Sequence, residues 1–210
     1  MSVLQRRRLN RFDSIRALVN LPVRNMIHLL EAKGVRIFSL VIDAREVDAF
    51  SMWKQTTPFI FLKNNKSSEH SRYDAAHELG HLVLHRHRGL RGRGAEQEAD
   101  AFASAFLMPK GSVIAYASTY PTLATLMELK RIWTASVAAL NCRLHAVGML
   151  SDWQYRTLCI QIAQHGYRTK QPNRPHVRHR RFYRRFLQRY TKKELIDHMW
   201  RAPCASHSPS

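Results

Sequence analysis

The first third of the chain changes from a helical to an extended rhythm of apolar positions. In "LPVRNMIHLLEAKG" the apolar residues fall at Val23, Met26, Ile27, Leu29 and Leu30 and stop at Gly34, which predicts an amphipathic helix with a glycine just past its end. Three short runs follow, "VRIFSLVI" (35–42), "DAFSMW" (48–53) and "PFIFLK" (58–63), rich in β-branched and aromatic residues and separated by polar or Pro-containing connections. They predict a small sheet. The polar "NNKSSEHS" breaks this rhythm, and Ser67 or Ser68 can cap a helix that runs on to about His85. The segment 86–94, "RHRGLRGRG", is too rich in glycine and arginine for a stable helix. A second helix is expected over "AEQEADAFASAFLM", with acids at its start, apolar residues at Phe102, Ala103, Phe106 and Leu107, and a stop near Pro109. Beyond it, "TLATLMELKRIW", "SVAALNCRLHAVG" and "SDWQYRTLCIQIAQHG" predict three short helices, with Ser136 and Ser151 as caps and Gly148 and Gly166 as stops. The fold class is therefore α+β.

Composition sharpens this outline. With 210 residues, 45% of them hydrophobic, the chain can bury a sizeable core. No apolar run approaches the ~18 residues that cross a bilayer, and the basic start lacks the apolar stretch of a signal peptide, so a cytoplasmic protein with no membrane partner is expected. Cys142, Cys159 and Cys204 are odd in number and lack a CxxC spacing, which predicts reduced thiols rather than a disulfide framework or a cysteine metal site. The net charge of +19 suggests nucleic acid, but more than half of it lies in 168–193, where eleven Arg or Lys and no acid occur. The expected organisation is a basic arm (1–21), a core domain (22–118), a helical subdomain (119–168) and a basic, disorder-prone tail (169–210).

The chemistry concentrates in "DAAHELGHLVLH", which sets His77, His81 and His85 four residues apart with Glu78 beside the first. Residues four apart lie about 40° apart around a helix, so His77 and His81 can turn their rings to one metal ion. Glu78 is turned roughly a quarter of the circumference away, the place for a general base acting on water rather than for a ligand. An H-E-x-x-H helix of this kind supplies two ligands and a base for zinc, and a catalytic site needs a third protein ligand. Thiolates are poorly placed. The next acids are Glu96, Glu98 and Asp100; Glu96 and Asp100 share a face, and the economical arrangement puts Glu96 on the zinc, Asp100 behind a ligating histidine, and Glu98 toward solvent. A lone histidine on an apolar face is usually a packed core residue. Two of them with a glutamate between would be costly to bury for structure alone. His85 is expected to support a ligand or to pack, and Tyr73 or His85 could supply the second electrophile that an oxyanion needs.

"RYDAAHELGHLVLH" followed by "EQEADAFASAFLMP" resembles the ImmA/IrrE family of zinc metallopeptidases, and the similarity runs from about Pro22 to "YRTKQP". The resemblance implies a gluzincin-like, zincin-type domain with a small sheet packed on the H-E-x-x-H helix, followed by a helical subdomain. It also implies a cytoplasmic endopeptidase acting on a repressor with a helix-turn-helix domain. The chain departs from members fused to such a domain, because too little precedes Pro22, and from their less basic carboxyl ends, which raises the expectation of a truncated or frame-shifted terminus. "PFIFLK" is taken either as an edge strand that binds substrate backbone or as a plain sheet element. Two other classes are weighed against the peptidase. A nucleic-acid reader could use "LKRIWTASVAALNCRLHAVG", or the arginines and aromatics of the tail, Phe182, Tyr183, Phe186 and Tyr190. A non-catalytic sensor could keep the fold, but it would have no need of His77, Glu78, His81 and Glu96 together.

Overall fold

The structure is a computed structural model that describes residues 22, 23, 25–40, 49–63, 67–85 and 92–167. The expected basic arm and basic tail, and the loop 86–91, lie outside the described residues. The first helix, α1 (Met26–Ala32), is capped by the Asn25 side chain, which accepts from the His28 amide at 3.1 Å. It buries Met26 and Leu30. Gly34, at φ 81°, turns the chain back, and the Val35 amide closes on the Leu30 carbonyl at 3.0 Å as the chain enters the sheet.

Among the described residues the sheet has three strands, β1 (Arg36–Leu40), β2 (Ala49–Lys54) and β3 (Thr57–Lys63), in the order β1-β3-β2. β1 runs parallel and β2 antiparallel to β3. This corrects the edge-strand expectation for "PFIFLK": β3 is the central strand, and β2 lies at the edge beside it. The physical sign is the unbroken apolar run Ile60, Phe61 and Leu62, all buried, as in a strand covered on both faces. Pro58 is tolerated because it sits at the strand's beginning. On one face Phe38, Phe61 and Phe50 stack across the three strands, with ring centroids 5.5 and 4.5 Å apart. Alternate residues, Ile60 and Leu62, join the main core.

Against the sheet lies α2 (Ser68–Leu84), capped by Ser67 and closed by His85, and α3 (Arg93–Leu107) packs on α2. α3 starts two residues earlier than the acids alone suggested, from a Gly92 at φ 98°. A helix absent from the sequence outline, α4 (Lys110–Tyr116), follows directly. Pro109, read only as a stop, ends one helix and also caps the next, its carbonyl accepting from the Val113 amide at 2.9 Å. The remaining helices, α5 (Leu123–Trp133), α6 (Val137–Ala146) and α7 (Asp152–Gln164), match the three expected, with Ser136 and Ser151 as caps. One apolar cluster runs from Met26 on α1 through Leu79 on α2 to Trp133, Leu140 and Ile162.

Charged groups inside this cluster brace α2. The Glu69 carboxylate pairs with the Lys130 ammonium, their side chains only 2% and 5% exposed. Arg72 donates to the Val23 carbonyl and, at 3.4 Å, to the Trp133 carbonyl, so α2 is held to the chain before α1 and to the end of α5. Arg143, one of the two polar side chains that a nucleic-acid reader on α6 would use, donates to the Met108 carbonyl at 2.7 Å. The other, His145, meets Asp152 at 2.8 Å. Both are engaged within the chain. Among the described residues no helix is long and apolar enough to cross a membrane.

Candidate metal centre

α2 and α3 meet through small residues, and that contact sets the site. A Cβ on Gly80 would come within 3.1 Å of the Ala99 Cα and 3.2 Å of the Phe102 ring, so only glycine admits α3 at this spacing. Ala76 on α2 and Ala95, Ala99 and Ala103 on α3 are buried as well. A glycine inside a helix costs about 1 kcal/mol against alanine, and here it is offset by close approach of the two backbones. The carboxylates of α3 are thereby carried up to the histidines of α2.

Three side chains converge there. His77 Nε2 lies 3.0 Å from His81 Nε2 and 3.1 Å from Glu96 Oε2, and His81 Nε2 lies 3.5 Å from Glu96 Oε1. His77, His81 and Glu96 form a group whose ligand atoms all lie within 4.8 Å of one another. Asp100 stands one turn beyond Glu96 and takes the other nitrogen of His77, Nδ1, at 2.8 Å. An Nδ1–H donated to Asp100 leaves the Nε2 lone pair of His77 facing His81 and Glu96. With the Nε2 of His81 likewise unprotonated, three electron-rich atoms meet at one point, a donor set that fits a cation. Metal–ligand bonds of about 2.0–2.2 Å in tetrahedral array put neighbouring donors about 3.3–3.6 Å apart, close to the 3.0–3.5 Å observed.

Electrostatics around this point divide the roles. Burial lowers the His81 pKa, and the rings of His77 and His85 add to the shift, which keeps the His81 imidazole neutral and able to donate a lone pair. Glu78, next to His77 and only 6% exposed, has its carboxyl pushed above the ordinary value by burial, with the Ser51 hydroxyl partly offsetting the shift. Ser51 and Trp53, both on β2, donate to the backbone carbonyls of Glu78 and Leu82 at 3.2 and 3.1 Å. The edge strand is thereby tied to the helix that carries Glu78. Neither residue was singled out by the sequence, which carries no local signal for a contact 27 to 29 positions away.

Tyr73, expected as an oxyanion donor, places its hydroxyl 3.3 Å from the Asp100 carbonyl oxygen and 3.4 Å from Asp100 Oδ1, and burial, then the Asp100 charge, raise its pKa strongly. His85 packs its ring against His81, with Nδ1 to Nδ1 at 3.0 Å. Glu98 is exposed, as expected, and its carboxylate also meets His85 Nε2 at 3.1 Å. The helical wheel does not show this contact, because the partner is the residue that closes α2.

A small sheet laid on an H-E-x-x-H helix, with a glutamate delivered by the next helix, is the arrangement of a zincin-like metallopeptidase domain. The family model of the IrrE N-terminal-like domain, a peptidase family, matches residues 30–145, and the chain belongs to that family. No curated protein matches the chain.

Proposed function

We propose that the chain is a zinc-dependent endopeptidase of the cytoplasm that cleaves a helix-turn-helix repressor and so relieves repression. The observation that carries the reading is the convergence of His77 Nε2, His81 Nε2 and the Glu96 carboxylate beside a buried glutamate whose pKa is raised. His77, His81 and Glu96 would hold the ion. A bound zinc supplies a Lewis acid that polarises the scissile carbonyl and brings the pKa of a water to about 7. The chain's own chemistry then rests on Glu78. Its carboxylate takes a proton from the attacking water and returns it to the leaving amine, and a proton affinity raised by burial suits both halves of that cycle.

Peptide-bond specificity in this reading comes from β2. Among the described residues it pairs with β3 alone, and Ser51 and Trp53 fix it along α2. A substrate segment added to its outer edge would be hydrogen-bonded through the main chain and carried past Glu78. Tyr73 would meet the developing oxyanion, exchanging its bond to Asp100 for one to the substrate, whereas both ring nitrogens of His85 are taken up by His81 and Glu98. The repressor as substrate rests on the resemblance of residues 72–85 and 96–109 to the ImmA/IrrE family. The basic tail would add nucleic-acid contact close to such a substrate.

Glu78→Gln tests the reading. Glutamine keeps the size of the side chain but cannot take a proton, so the variant should retain zinc and fold while cleavage of a co-expressed helix-turn-helix repressor falls about 10²–10⁴-fold. Cleavage at the wild-type rate would remove Glu78 from the reaction. No cleavage by the wild-type protein, zinc-loaded and facing its cognate repressor, would overturn the peptidase reading.

A further inference from the structure

Glu98 carries a task that follows from the proton positions around His81, and the inference rests on the zinc reading above. We infer that His85 and Glu98 form a relay that orients His81 as a ligand, so that Glu98 is a positioning residue of the metal centre. The Nδ1 of His81 lies 3.0 Å from the Nδ1 of His85, and the Nε2 of His85 lies 3.1 Å from Glu98 Oε2. A carboxylate only accepts hydrogen bonds, so His85 presents Nε2–H to Glu98, and in the neutral ring that leaves Nδ1 without a proton. His85 Nδ1 is then an acceptor, and the contact with His81 requires a proton on His81 Nδ1. That leaves His81 Nε2 with its lone pair, aimed at the point where His77 Nε2 and Glu96 converge.

The same logic runs along the other ligand with one fewer residue. Asp100 accepts directly from His77 Nδ1 at 2.8 Å. Each histidine of the pair is therefore fixed in the Nδ1–H form by a carboxylate of α3, Asp100 for His77 and Glu98, through His85, for His81. The three acids of "EQEAD" divide the work of one site: Glu96 as ligand, Glu98 and Asp100 as orienting groups. The His85 side chain is 6% exposed, so water cannot readily replace Glu98 as the acceptor at Nε2. Glu98 itself is 53% exposed, which a solvated surface glutamate would share, and the distinction lies in the tautomer it imposes two rings away.

Two measurements test the relay. The first is zinc affinity, by competition with a chromophoric chelator, in Glu98→Ala, His85→Ala and the double variant, with circular dichroism to establish folding. Each single change should weaken zinc about 10 to 100-fold, and the double variant should lose no more than His85→Ala alone, because the two residues act in series. Glu98→Gln, which can still accept through its amide oxygen, should recover part of the loss. Glu31→Ala, a carboxylate on α1, should bind as wild type. The second measurement is the imidazole ¹⁵N–¹H spectrum of the metal-free protein, which should place the His85 proton on Nε2 and the His81 proton on Nδ1, with both assignments lost in Glu98→Ala. Wild-type zinc affinity in folded Glu98→Ala and His85→Ala, or a His85 proton on Nδ1, would overturn the relay. A wild-type chain that takes up no zinc would overturn the metal reading instead, and the ¹⁵N spectrum would still decide the relay.

Discussion

Gly80→Ala probes the contact on which the site depends. The new Cβ would stand 3.1 Å from the Ala99 Cα, 3.3 Å from the Ala99 carbonyl oxygen and 3.2 Å from Phe102 Cδ1. Comfortable carbon–carbon contacts lie at about 3.5–4.0 Å, so α3 must retreat by a few tenths of an ångström. Two of the three neighbours are backbone, and a rotamer change cannot relieve them. In stability the substitution is nearly balanced: about 1 kcal/mol gained in helix propensity stands against roughly 1–3 kcal/mol of overpacking. The net loss is between zero and about 2 kcal/mol, a fall in Tm of up to about 8 °C for a chain of this size. Zinc affinity should suffer more. Glu96 and Asp100 ride on α3 and meet His77 at 3.1 and 2.8 Å, so a shift of the helix strains one ligand and one orienting bond together. We expect a loss of zinc affinity of about 10-fold or more, comparable to losing an orienting carboxylate. Chelator competition and thermal melting of the metal-free protein separate the two effects. A rise in Tm with wild-type zinc affinity would show that α3 yields freely and that Gly80 does not set the spacing.

Three further outcomes are expected. His77→Ala, His81→Ala and Glu96→Gln should each abolish tight zinc binding by metal analysis, whereas Asp100→Asn should weaken it about 10 to 100-fold; full retention in both histidine variants would refute the ligand set. Lys130→Met should lower stability by about 3–5 kcal/mol, toward the lower end because Arg72 still faces Glu69. Burial opposes ionisation of Glu69, but Lys130 and the hydrogen bonds around the carboxylate outweigh it and hold its pKa below the ordinary 4.5. That contribution is present above pH 4.5 and is lost as the pH falls through the depressed value, so denaturant melts of Lys130→Met should show a smaller acid loss than wild type. An equal pH slope in both proteins would exclude the pair as its source. Finally, a chain ending at residue 168 should keep zinc and cleavage but lose nucleic-acid retention and its steep salt dependence; loss of cleavage in the folded truncation would make the tail part of substrate binding.

Much of this protein is written locally. Ser67, Ser136 and Ser151 cap the helices that follow them because an N-cap needs only its own side chain and the amide three positions on. The spacing of His77, Glu78 and His81 implied a shared ion because helical periodicity alone stacks the two rings on successive turns. Glu96 and Asp100 fell on one face of their helix by the same rule. Tertiary contact decided the rest. Strand order follows from which neighbours bury Ile60, Phe61 and Leu62, and a short apolar run reads the same at a sheet's centre and at its edge until its partners are known. The Glu98 carboxylate belongs to His85 because two helices cross where one of them ends, a relation that no wheel drawn on a single helix contains. Gly80 stands between the two cases: its presence inside a helix marks a departure from propensity, and only the Ala99 backbone packed against it supplies the reason.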